Sequence, residues 1–251
     1  MVDLINVFIY LFFYHAINII IQGTLRKRSH NPYRITVFVS PMNIFLILFF
    51  AYLTNLNAEQ MGFTLGEPLI GLLMIVIVLV YVFVSVRSIL KAPSREIKKI
   101  RYGLTSNKVY QYIYSWVIVG IVEELLFRGY LQGNLDKFFS GSFLTVRMST
   151  LLASGVFVLV HVGNVFSRFE TRKQFMKQLP LRFFVTLLLG YTFQVTGSLF
   201  YPIIMHNLID GPSMTAVIYR KEQIKREREQ AIYRRRETEK NPGDENPREK
   251  Y

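Results

Sequence analysis

Trp116-Val-Ile-Val-Gly-Ile-Val-Glu-Glu-Leu-Leu-Phe-Arg128 is an apolar run with two adjacent carboxylates, Glu123 and Glu124, in its middle and an arginine one helical turn beyond them. Without those three side chains it reads as the centre of a membrane span. Placing one carboxylate in hydrocarbon costs roughly 2.5–3.5 kcal/mol on insertion scales. Two side by side are hard to explain as packing, and ionisable groups at membrane depth point first to a functional site.

The rest of the chain suits a membrane. Of 251 residues, 51% are hydrophobic, with 21 Phe and 15 Tyr. Long uncharged apolar runs recur, and they lack the alternation of barrel strands. The fold class expected is therefore all-α: a polytopic transmembrane helical bundle of about seven spans (six to eight), with an active-site cavity within the membrane. The spans are drawn at Leu4–Gln22, Ile35–Leu53, Leu69–Leu90, Val109–Phe139, Phe143–Val165, Phe183–Phe200 and Tyr201–Tyr219. The N-terminus lacks a cationic n-region and a small-residue cleavage site, so the first run is expected to be a retained helix rather than a signal peptide. Residues 1–219 are read as the membrane domain and 220–251 as a charged tail, helical to Lys240 and disordered from Asn241 to Tyr251.

The formal charge of +13 could suggest nucleic acid, but its distribution argues for a membrane. Sixteen of the 19 Lys and Arg before the tail fall in three alternate connections: Arg26–Arg34, Arg87–Lys108 and Arg168–Arg182. By the positive-inside rule these face the cytoplasm of a cell membrane, which puts the N-terminus outside and the tail inside. The basic loops and tail suit anionic lipid headgroups, and no base-reading feature speaks for nucleic acid. There is no cysteine, which excludes thiolate nucleophiles and cysteine-ligated metals.

Four histidines exist. His30 lies in a basic loop, and His15 stands alone in the first span and reads as packing. His161 differs. The fourth and fifth spans form a hairpin turning near Ser140-Gly141, with Glu123 about 17 residues before the turn and His161 about 20 after it. At about 1.5 Å per residue the two side chains lie at nearly one level, a plausible base and proton partner. His206 and Asp210 are four apart and share a helix face, as a cavity lining or a structural pair. Glu124 and Arg128, also four apart, can form a buried ion pair that fixes geometry and leaves Glu123 free. No His-Glu-x-x-His is present. A metal on Glu123, His161 and His206 is conceivable, but the adjacent arginine disfavours a dication. No cofactor or metal is expected.

Three of these segments resemble the motifs of the CAAX protease and bacteriocin-processing (Abi) family, which includes the type II CAAX prenyl endopeptidases. Glu123-Glu124-Leu-Leu-Phe-Arg128 is similar to its E-E-x-x-x-R motif, Phe157-Val-Leu-Val-His161 to F-x-x-x-H, and His206-Asn-Leu-Ile-Asp210 to a histidine followed four residues later by Asn or Asp. The motif region spans about Val119–Pro212. The resemblance implies a metal-independent intramembrane glutamate endopeptidase acting on a membrane-associated or lipidated peptide. In it Glu123 would activate water and His161 would hold that water and shuttle its proton. His206 and Asp210 would stabilise the oxyanion, Glu124 and Arg128 would orient the site, and Phe157 would pack it. Asp210 departs from the amide of many members, because an ionised carboxylate repels an oxyanion that an amide would stabilise. Two rivals follow: a non-catalytic scaffold, regulator or bacteriocin-immunity protein on the same fold, and a proton-coupled transporter using the glutamates as a relay. The span boundaries also put His206 nearer the outer face than Glu123. That requires either a broken or re-entrant last span or shifted boundaries.

Overall fold

The computed structural model describes residues 3–27, 31–100, 107–167 and 170–240. His30 and the expected disorder of Asn241–Tyr251 lie outside the described residues. The elements are α1 (Leu4–Arg26), α2 (Pro32–Leu53), α3 (Pro68–Lys91), α4 (Ser94–Lys99), a continuous helical segment α5 (109–135), a hairpin β1 (Ser142–Phe143) and β2 (Val146–Arg147), α6 (Met148–Val160), α7 (Gly163–Phe166), α8 (Arg172–Thr196) and α9 (Phe200–Lys240). The protein is an all-α bundle.

Local sequence sets the ends of these rods. Asn31 accepts from the Tyr33 and Arg34 amides at the start of α2, with Pro32 already at a helix-compatible φ. Thr171 and Gln174 form a reciprocal capping box on α8, which Gly197 ends in the left-handed region at φ 65°. Five helical stretches are long and apolar enough to cross a membrane: Leu4–Arg26, Pro32–Leu53, Pro68–Lys91, Met148–Phe166 and Arg172–Thr196. The chain is a multi-pass membrane protein. Large apolar side chains such as Phe12, Ile19, Leu69, Leu72 and Phe83 stay exposed on the outer faces of α1 and α3, as lipid contact requires.

The other two expected spans are helical as well, but neither is a plain apolar rod. The α5 segment carries the ionisable cluster and alternates between α and π winding. The α9 helix runs unbroken past Tyr219 into the charged tail, so no break marks the expected boundary at 219/220. Its first tail turns pack down: Lys221 Nζ donates to the Ile100 carbonyl at 2.5 Å, Glu222 pairs with Lys108, and Ile224 is buried. The α5–α6 turn falls slightly later than expected, inside the small hairpin, where Leu144 takes φ 55°.

The depth of His206 is settled by how α8 joins α9. The α9 helix is continuous rather than broken, and the join is sunk into the bundle, with Ser198 and Leu199 fully buried. The α2–α3 connection lies over it: the Leu199 amide donates to the Gly62 carbonyl at 2.8 Å and the Glu67 amide to the Thr196 carbonyl at 3.0 Å. Beginning below the rim, α9 brings His206 to the level of Glu123. Gly66 makes this approach possible, with φ 53° and no room for a Cβ beside the Thr196 carbonyl. Gly66→Ala is expected to cost about 1–3 kcal/mol for the backbone conformation, and a similar amount for overpacking. A thermal unfolding midpoint in detergent equal to that of the parent protein would refute this role for Gly66.

Candidate active site

The helix carrying Glu123 and Glu124 is wound in alternating modes: α over Val109–Ile113, π over Tyr114–Ile118, α over Val119–Glu124, π over Leu125–Gln132 and α again over Gly133–Leu135. A π turn takes in an extra residue and turns every later side chain relative to a regular helix, a device frequent at functional sites. The two glutamates end the α stretch between the two π segments. Their side chains go to different places.

Glu124 is wholly buried (0% exposed), as is Arg128 (1%). Its Oε1 accepts from His206 Nδ1 at 2.6 Å and its Oε2 lies 3.0 Å from Arg128 Nε. Arg128 Nη2 donates to both the carbonyl and the hydroxyl of Thr186 on α8, each at 2.7 Å. Its guanidinium carbon sits 5.2 Å from the Phe157 ring centre. Helices α5, α6, α8 and α9 are thus tied together through one buried pair. A pair this dry is weak as a source of stability but strong as a source of geometry.

Glu123 faces the other way, with its side chain 25% exposed. Its Oε2 lies 4.0 Å from His161 Nε2 and 3.9 Å from His206 Nε2. Those separations exceed a direct hydrogen bond and suit one bridged by water. His161, at the end of α6, has Nδ1 at 2.8 Å from the Phe157 carbonyl. A carbonyl can only accept, so Nδ1 donates there and Nε2 is the ring atom turned toward Glu123. Phe157 stacks on that imidazole with centroids 4.3 Å apart, and meets Phe127 edge-on at 4.8 Å. His206 Nε2 is also 3.6 Å from Oδ2 of Asp210, whose side chain is 43% exposed.

Glu123, Phe157, His161, His206 and Asp210 line a cavity of ≈ 680 Å³ that extends to Arg26 and Arg182. Its far end therefore opens among the basic connections. There Arg182 Nη2 donates to Glu170 Oε1 at 2.7 Å. All seven residues singled out in the sequence converge on this place, six of them as three pairs one helical turn apart. Thr186 and Asn207 were not anticipated. Thr186 carries no signal in a run of apolar residues. Asn207, an amide in an apolar helix beside His206, is visible once His206 is suspected. His15 packs edge-on against Tyr14 at 5.2 Å. Among the described residues, no three His, Asp or Glu side chains are arranged to hold a metal ion.

Fold and site together define a class: a multi-pass helical membrane protein with a carboxylate–histidine centre inside its bundle. Residues 105–211 match the family described as Type II CAAX prenyl endopeptidase Rce1-like. The match over that segment agrees with the resemblance carried by its three motifs and indicates a CAAX protease-like hydrolase. No curated protein and no solved structure matches the chain.

Proposed function

We propose that the protein is an intramembrane endopeptidase that hydrolyses a peptide bond of a membrane-associated or lipidated substrate, with Glu123 activating water and no metal taking part. One observation carries the reading: Glu123 Oε2 stands about 4 Å from the Nε2 atoms of both His161 and His206 inside a cavity. A water held between Glu123 and His161 gives its proton to Glu123 as its oxygen bonds to the scissile carbonyl carbon. The carbonyl oxygen gains the negative charge and accepts from the Nε2–H of a His206 imidazolium whose Nδ1–H donates to Glu124, a contact worth a few kcal/mol in a dry site. The proton passes through Glu123 and His161 to the leaving nitrogen as the C–N bond breaks, leaving a carboxylic acid and an amine.

Glu124 serves as the fixed acceptor that orients His206, Arg128 anchors Glu124, and Phe157 wedges His161. Asp210, placed 3.6 Å from the same Nε2, acts on His206 rather than directly on the oxyanion. The guanidinium beside the carboxylates supports a centre that works without a dication. The segregation of basic residues supports a cell-membrane setting with the tail and the cavity mouth cytoplasmic, the N-terminus outside, and basic loops against anionic headgroups.

The test is hydrolysis in ¹⁸O-water of a panel of membrane-anchored peptides, with and without a prenyl group, by the purified protein in liposomes. Cleavage should place one ¹⁸O in the new carboxyl group. Failure to cleave any member of the panel, or undiminished cleavage by Glu123→Gln, would overturn the proposal.

A further inference from the structure

We infer that Asn207 is a positioning residue: by gripping the α5 backbone at Val117 and Gly120 it sets the rotation at which Glu123 and Glu124 meet His206. For its kinetic consequence the inference rests on the proteolytic reading above. The grip itself is independent of that reading.

The Gly120 amide donates to Asn207 Oδ1 at 3.0 Å, and Asn207 Nδ2 donates to the Val117 carbonyl at 3.2 Å. One side-chain amide thus holds a donor and an acceptor on one turn of the neighbouring helix. That turn is where the winding changes. The Val119 amide still bonds five residues back, to Tyr114, closing the π segment, and regular α winding begins at Val119. A change of register leaves backbone groups that need partners from outside the ladder. Asn207 supplies them at the switch point.

The neighbouring contacts show how close the two helices run. A Cβ on Gly120 would stand 2.5 Å from Asn207 Oδ1 and 2.9 Å from the Ile203 carbonyl, so only glycine admits the grip. A turn further along, Gly211 of α9 makes room for the Trp116 ring, whose Nε1 donates to Thr215 Oγ1 at 3.1 Å. On the other side of the grip, His206 bonds Glu124 at 2.6 Å. Consecutive residues of α9 therefore engage α5 in two ways, His206 at a side chain and Asn207 at the backbone one turn before it. The backbone contact fixes where the side-chain contact falls.

A turn of the helix by about 20° would swing a carboxylate lying roughly 6 Å from the axis by about 2 Å. Misplacing a catalytic group by about 1 Å can cost about a hundredfold in rate. The separations of 4.0 and 3.9 Å at Glu123 would not survive such a swing.

The experiment compares Asn207→Ala and Asn207→Asp with the parent full-length protein in liposomes. It reads kcat, KM and the pH–rate profile on a peptide that the parent cleaves, together with the ¹⁵N signals of the His206 ring, which sense its bond to Glu124. Asn207→Ala is expected to lower kcat by about a hundredfold, leave KM within about twofold, shift a limb of the pH profile and move the His206 signals. Asn207→Asp keeps the acceptor for the Gly120 amide and should fall between. Unchanged kcat and pH profile per folded molecule in Asn207→Ala would overturn the inference. If the parent cleaves no peptide, the proteolytic reading fails, and unmoved His206 signals in Asn207→Ala would then refute the grip on their own.

Discussion

Glu123→Gln is expected to lower kcat by about 10²–10⁴-fold, the range over which a positioned general base contributes. The protein should remain folded. The amide is isosteric, the side chain is 25% exposed to the cavity, and neither histidine is close enough to Glu123 to depend on it for a direct bond. Loss of rate with an unchanged melting temperature separates a base from a structural acid, and this is the contrast with Glu124. The measurement is initial rate on the cleaved peptide, paired with thermal unfolding in the same detergent. A variant as fast as the parent would remove Glu123 from the chemistry. A variant that is slow only because it unfolds would place it with Glu124. His161→Ala should lose rate in the same way, because its Nε2 lies 4.0 Å from Glu123 Oε2.

The different surroundings of the two glutamates were largely legible before any geometry. Spacing of four places Arg128 on the same helix face as Glu124, and that contact is present at 3.0 Å. Equal distance from a hairpin turn puts Glu123 level with His161, although the turn itself lies in a small hairpin after Gly141. Polarity at membrane depth is a strong signal because its cost is large. His206 was harder to place. Counting along an assumed span puts it near the outer face, since counting cannot show that the α8–α9 join is buried under the α2–α3 connection. That arrangement depends on a left-handed glycine at position 66 and on hydrogen bonds between distant backbone groups. The π segments of α5 were equally hidden. The first ends where Asn207 of another helix bonds its backbone, and no local periodicity announces such a partner. Asp210 changes meaning for the same reason. As a sequence letter it conflicts with an oxyanion. Placed 3.6 Å from His206 Nε2 it can instead orient the imidazole.

Arg128→Met should have the largest effect on stability. It leaves Glu124 fully buried with its Oε2 deprived of the cation 3.0 Å away, and it frees the Thr186 carbonyl and hydroxyl that accept from Nη2. Breaking a buried pair by removing one partner costs about 3–5 kcal/mol, because the charge left behind keeps its desolvation penalty. Lost folded yield or a sharply lowered melting temperature would show it. Replacing both partners, Glu124→Met with Arg128→Met, removes the orphaned charge and should recover much of that stability, since an apolar pair of similar volume packs without a desolvation cost. Activity should not return with it. His206 Nδ1 would have lost the acceptor at 2.6 Å that orients its ring, so Nε2 would no longer be held toward Glu123. A double variant that is both stable and active would mean that the pair holds the bundle together and nothing more. A double variant that is stable and inactive would show that two charges are kept in the membrane interior for the direction in which they point one imidazole.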